Sequence, residues 1–300
     1  MKLEFHTLDV FTAEPLGGNP LAVVLGAAGL GDRLMQQVAR EFNLSETVFV
    51  LAGVPTEQDA VPVRIFTPRS ELSFAGHPII GTGVLLAELR HKEGCPFETR
   101  LALATKAGPV PLTVTRIAGA ARAQLTAPRL AAGRETGFTD TAVAAAVGLA
   151  PAQIGCGSHR PQVLAGTASI LAVPVADTAA LGKAAVADEA WQPIRKATGS
   201  IGIYAYTALG PTGAWRVRFF APDEGIAEDP ATGLAAVAFP AQVLSFESPA
   251  DGTLRLALEQ GIEMGRPSFI DVEVDIRAQV QAAVRLAGQA VRVTSGTLRL

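Results

Sequence analysis

The sequence predicts an α+β protein of two domains, and three observations carry that reading. Its 300 residues are more than one hydrophobic core usually fills. Predicted strands outnumber helices and often follow one another directly, which argues against a purely parallel βαβ sheet. Two distant segments also share a layout: "RIFTPRSELSFAGHP" (64–78) and "RFFAPDEGIAEDP" (218–230) each read as a strand, Phe-x-Pro, a polar loop, and a residue before Pro that opens an apolar helix. Matching His77 to Asp229 or Arg64 to Arg218 gives different offsets, so the repeat is divergent and its register is open.

In chain order, "KLEFHTLDVF" alternates as a strand does, and the "GGNP" turn at 17–20 precedes a second strand, "LAVVL". "GDRLMQQVAREFN" carries Leu34, Val38 and Phe42 at helical spacing behind a candidate cap, Asp32. "SETVFVL" and "VPVRIFTP" read as strands, 78–91 as an apolar helix, and "VPLTVTR" and "ARAQLTAP" as strands. The second half is predicted to hold helices near 139–148, 186–197 and 231–246 and strands near 162–174, 201–208 and 214–221, with further short strands and a short terminal run. The proline-containing, small-residue stretch at 116–130 suggests the boundary: 1–117 as one half, joined by 288–300, and 118–287 as the other.

Composition narrows the function. A hydrophobic fraction of 49% against 18% charged residues disfavours disorder. A net charge of −3 offers no basic field for nucleic acid or anionic lipid, and no apolar window is long enough for a membrane helix, so a cytoplasmic chain is expected. Cys95 and Cys156 form neither CxxC nor a metal spacing, and no phosphate-binding glycine motif occurs, so neither metal nor nucleotide cofactor is expected.

Three acid–base candidates remain. Asp229 before Pro230 has a plain reading as a helix cap. His77 before Pro78 is a poor cap but a good acid or base near neutral pH. Gly76, Gly81 and Gly83 around it sit in an apolar helix start, serving either close helix packing or a ligand's approach to the backbone. Two such helix N-termini suit a carboxylate. Glu46, in "NLSETVFV", is either solvated at a strand end or enclosed by Val48 and Phe49, where burial would suit it to general-base work. His6, His91, His159 and the "GCGSH" turn at 155–159 suit surface or core roles better.

Together, "LDVFTAEPLGGNPLAVV" (8–24), "LSETVFV" (44–50), the 64–83 segment ending in "AGHPIIGTG", "RFFAPDEGIAEDPATG" (218–233) and "EQGIEMGRPS" (259–268) resemble the phenazine-biosynthesis PhzF family over nearly the whole chain. The resemblance implies a diaminopimelate epimerase-like fold: two pseudo-symmetric domains, each a mostly antiparallel sheet wrapped around one central helix, with the active site in the cleft between them. It implies Glu46 as the base and acid that moves a proton, with His77 and Asp229 assisting and capping the helix starts, and substrate held near Gly76, Gly233 and Leu234. Gly76 and Gly233 would stand where related racemases carry paired cysteines. The expected protein is a cofactor-independent, homodimeric isomerase acting on a small carboxylate-bearing molecule. Alternatives are a non-thiol epimerase or a small-molecule binder that has lost turnover. One departure is marked: the family's usual EDPATGSA has Leu234 here in place of serine, and GHPT becomes GHPI at Ile79.

Overall fold

The structure, a computed structural model, describes residues 1–51, 60–211 and 213–300. The chain divides into two compact units, Met1–Thr126 with Ala287–Leu300, and Ala127–Leu286. The divisions fall at 126/127 and 286/287, against the expected 117/118 and 287/288; the first unit takes in the strand Ala121–Thr126.

The first unit holds β1 (Lys2–Val10), β2 (Asn19–Val24), α1 (Asp32–Phe42), β3 (Glu46–Val50), β4 (Val61–Phe66), β5 (Glu71–Leu72), α2 (Gly76–Arg90), β6 (Phe97–Thr105), β7 (Gly108–Arg116) and β8 (Ala121–Thr126). Most neighbours pair antiparallel, but β2 and β3 run parallel, as do β4 and β6. The helix α2 is buried continuously from Gly76 to Ala87 and packs against β1, β2, β3, β6, β7 and β8, so the sheet wraps around it. That is the fate of a helix apolar on every face. Glycine makes the fit possible: a Cβ on Gly81 would lie 2.6 Å from both Leu21 Cδ2 and Val10 Cγ2. Outside the sheet, α1 lays Met35 and Val38 on Val24, Phe49 and Phe66. It begins at Asp32 with Gly31 as its cap, so Asp32 serves the first turn instead of capping it.

The second unit holds β9 (Ala132–Glu135), α3 (Asp140–Ala146), β10 (Gln162–Ala165), β11 (Ser169–Pro174), α4 (Thr178–Lys183), α5 (Asp188–Thr198), β12 (Ser200–Ala208), β13 (Ala214–Ala221), β14 (Ile226–Asp229), α6 (Gly233–Phe246), β15 (Gly252–Gln260) and β16 (Ser268–Arg277). A final strand, β17 (Val280–Arg299), begins here and ends in the first unit, where residues 290–299 pair antiparallel with β1. The helix α6 packs on β9, β10, β11 and β16, while Val143, Leu181, Trp191 and Ile194 of α3, α4 and α5 pack with Leu171, Val173, Ile203 and Phe220. The predicted strand 162–174 is a hairpin, and α4, β6 and the length of β15, β16 and β17 were not anticipated.

The pairing order is repeated. In the first unit β2 meets β3 parallel, β3–β4 and β4–β5 are antiparallel, β4–β6 is parallel and β6–β7 antiparallel. In the second, β11–β12, β12–β13, β13–β14, β13–β15 and β15–β16 repeat that sequence of directions. Each unit thus encloses its own central helix, α2 or α6.

Candidate active site

The repeat extends to side chains and settles the register. Arg64 on β4 donates through Nε and Nη2 to both oxygens of Glu71 (2.7 and 2.6 Å), and Arg218 on β13 does the same to Glu228 (2.8 and 2.8 Å). Each guanidinium also lies over a phenylalanine two residues on, Phe66 or Phe220. The Glu71–Gly76 and Glu228–Gly233 spacings are equal, and each helix starts at its glycine. The arginines therefore correspond, the loop after β13 being three residues longer. His77 then matches Leu234, not Asp229: each is the second residue of its helix.

In the first unit, β-strand alternation decides which way Glu46 points. Phe49 joins the cluster under α1, so Glu46 and Val48 face α2, and Glu46 is only 9% exposed. Its Oε2 lies 3.1 Å from Nε2 of His77, itself 5% exposed. Neither atom has a hydrogen-bond partner, so this is a close approach out of hydrogen-bond alignment. Asn19, fully buried at the start of β2, places Nδ2 3.4 Å from His77 Nδ1 and receives the Ser45 hydroxyl on Oδ1 at 2.9 Å. An amide N–H₂ only donates, so the Asn19 amide meets Nδ1 as a donor. Ala75 caps α2 without a side-chain bond; His77 lies inside the helix and is no cap. Pro78 follows at the third position, where its missing N–H costs nothing.

In the second unit, Asp229 ends β14, paired with Phe219, four residues before α6 begins. Neither it nor Pro230 opens the helix as expected; Thr232 is the cap residue, without a side-chain cap bond. What displaces the start is the turn 229–232: Thr232 Oγ1 donates to Asp229 Oδ2 (2.6 Å), and Gln260 bonds to both residues. Asp229 is 7% exposed. The first bond of α6 runs from Ala236 N to Thr232 O, so the amides of Gly233, Leu234 and Ala235 are not used within the helix. Gly233 is buried and Leu234 half-buried.

Each unit thus groups its own predicted residues, Glu46, Gly76 and His77 in one and Asp229, Gly233 and Leu234 in the other. Sequence reading passed over Asn19, Ser45, Thr232 and Gln260. For Gln260 the signal was present: Leu256, Leu258 and Gln260 occupy successive inward positions of β15. His159 is a core residue, bonded to Tyr206 Oη (2.9 Å) and near Glu247 (3.1 Å). Burial pushes it below the usual histidine range, opposed by the Glu247 bond. His91 stacks on Phe97 at the end of α2, and "GCGSH" is a turn closed by the Cys156–His159 bridge. Among the described residues no group of three or more His, Cys, Asp or Glu side chains is placed to hold a metal, and no helix is long and apolar enough to cross a membrane.

The family described as phenazine biosynthesis-like protein matches residues 8–296. A protein of Mesorhizobium japonicum named as an uncharacterized isomerase is 41% identical over 97% of this chain and 96% of its own length. The trans-2,3-dihydro-3-hydroxyanthranilate isomerase of Pseudomonas chlororaphis is 32% identical over 98% of both chains. A PhzF-family crystal structure from Bacillus anthracis superposes with a TM-score of 0.86 over 100% of both chains at 23% identity, showing the shared fold. The paired units with their central helices, and relatives matched over almost their whole length, place this chain in the phenazine-biosynthesis PhzF family as an isomerase.

Proposed function

We propose that Glu46 is the general base and acid of this isomerase, removing a proton from one carbon of a small carboxylate-bearing substrate and returning it to another. The observation that carries this reading is the buried contact of Glu46 Oε2 with His77 Nε2: two polar atoms 3.1 Å apart, each lacking a hydrogen-bond partner. Unpartnered buried polar atoms are costly in a resting fold, and a ligand that engages them recovers that cost. His77 stands beside the base, where an N–H would stabilise negative charge forming on the substrate, as an oxyanion donor does. The helix-start amides of α2, in the same unit as Glu46, suit the substrate's carboxylate.

Substrate choice turns on Leu234. Where the family pattern has a serine, leucine removes a hydroxyl, worth about 1–3 kcal/mol if a substrate group is left unpaired. A substrate less polar at that end than dihydro-3-hydroxyanthranilate fits better. Proton NMR in D₂O with that compound, comparing wild type, Glu46→Gln and Leu234→Ser, tests both points. Deuterium incorporation in wild type that falls by about 10²–10⁴ in Glu46→Gln is expected of a lost general base. Undiminished exchange in Glu46→Gln refutes the assignment. Faster turnover in Leu234→Ser supports the substrate reading, and slower turnover refutes it.

A further inference from the structure

The turn before α6 contains a hydrogen-bond chain whose direction follows from its heavy atoms alone. Gln260 is fully buried, and two backbone groups fix which way its amide faces. Its Oε1 accepts from Thr232 N (3.0 Å), and its Nε2 donates to Asp229 O (2.8 Å). The reverse orientation would set donor against donor and acceptor against acceptor. The second Nε2 hydrogen then points to Thr232 Oγ1 at 2.9 Å, so the threonine hydroxyl accepts there and spends its own hydrogen on Asp229 Oδ2 at 2.6 Å. The residue after Gln260 holds this register: Gly261 has φ +71, and a Cβ there would lie 2.4 Å from Arg266 O and 2.7 Å from Pro230 O. Both polar atoms of the Gln260 side chain are thus committed to the turn that carries Asp229.

We propose that Thr232 and Gln260 are positioning residues for Asp229: the relay holds Oδ2 as an acceptor and so fixes how the carboxyl is turned. The catalytic part of this rests on the reading that Asp229 takes part in proton transfer; the relay does not. A hydrogen bond donated to a carboxylate favours its charged form, so loss of the Thr232 hydroxyl should make Asp229 easier to protonate. The relay also explains why Thr232, although the cap residue of α6, gives its hydroxyl to Asp229 and not to the helix.

The test separates relay from catalysis. In ¹³C-labelled protein, the Asp229 carboxyl resonance, assigned by its loss in Asp229→Asn, is followed against pH in wild type, Thr232→Val, Thr232→Ser and Gln260→Met. The midpoint should move to higher pH by about one unit in Thr232→Val. It should return in Thr232→Ser, which keeps the hydroxyl, and move partway in Gln260→Met. A midpoint unchanged in Thr232→Val, or unrestored in Thr232→Ser, overturns the relay. The acid limb of kcat should follow the NMR midpoint from variant to variant. A midpoint that moves while the acid limb stays still supports the relay and refutes a proton-transfer role for Asp229.

Discussion

The starts of α2 and α6 are built on one plan and carry different chemistry. In both units a strand arginine grips a glutamate with two bonds, lies over a phenylalanine and is followed by a helix opening on glycine. Within that frame the first unit puts an acid–base group inside the helix, His77 against Glu46. The second puts its acid before the helix, Asp229 on a turn, and fills the matching helical position with Leu234. The shared part is what holds a buried helix start in place. The variable part is what the proposed function assigns to the ligand. Glu228, adjacent to Asp229, therefore belongs to the scaffold.

The arginine clamps differ in depth, and this gives the largest expected effect on stability. Arg218 is 8% exposed and also donates to the carbonyls of Leu181 (2.9 Å) and Ala184 (2.8 Å). Arg64 instead reaches Asp32, whose side chain is 84% exposed, and its partner Glu71 has a second cation in Lys106 at 2.5 Å. Arg64 holds Glu71 below the usual carboxylate range, with burial opposing it. Removing one partner of a buried pair costs about 3–5 kcal/mol; an exposed pair costs about 1 kcal/mol or less. Chemical denaturation should show Arg218→Ala near the lower end of the first range and Arg64→Ala, whose Glu71 pair is part-buried but lacks the buried carbonyl bonds, between the two ranges. Equal losses would mean that the clamps are energetically interchangeable.

The helices themselves differ next. Counting from Gly76 and Gly233, Gly81 of α2 corresponds to Ala238 of α6, and Gly83 to Pro240. A methyl is thus accommodated in one unit at a place where the other has Leu21 and Val10 within 2.6 Å of it. Gly81→Ala should destabilise by about 1–3 kcal/mol through overpacking, despite the better helix propensity of alanine. Thermal unfolding of Gly81→Ala is the check, and a raised Tm would show that Leu21 and Val10 can yield.

How much of this was legible in the sequence follows the same division. Period-2 alternation and apolar runs located most strands and the buried helices α2 and α6, whose central place came from the family resemblance. The repeat was visible, but its register was not, because the tempting match of two residues before proline competes with an arginine–glutamate pairing that only strand geometry reveals. Asp229 read as a cap because Asp-Pro is a common helix opening; Gln260, about 30 residues away, overrides that local preference by tying the turn down. Glu46 was readable as either solvated or enclosed, and the strand's facing decides it. Long-range hydrogen bonds were the missing information throughout.

The far ends of the two helices extend the contrast to pH. At the end of α2, Glu88 meets Arg116 and Arg292, and burial pushes its carboxyl up against the pull of both cations. At the end of α6, Glu247 meets His159, whose imidazole is pushed down by burial. The signs are opposite. A histidine with a folded value below its unfolded value of about 6.5 lets the unfolded chain bind more protons, so its stabilising contribution is present above that pH and is lost as pH falls below it. A carboxyl with a raised value gains on acidification, as pH falls through its folded value. Between pH 7.5 and 5.5 the histidine should dominate, because Glu88 still begins from a carboxylate range. The wild-type unfolding free energy should therefore fall across that window by a few tenths to about 1 kcal/mol more than that of His159→Gln. Identical pH slopes in the two proteins would mean that the Glu247 bond cancels the effect of burial on His159, and a smaller fall in wild type than in His159→Gln would mean that His159 is protonated against Glu247 in the folded state, an ion pair like the end of α2.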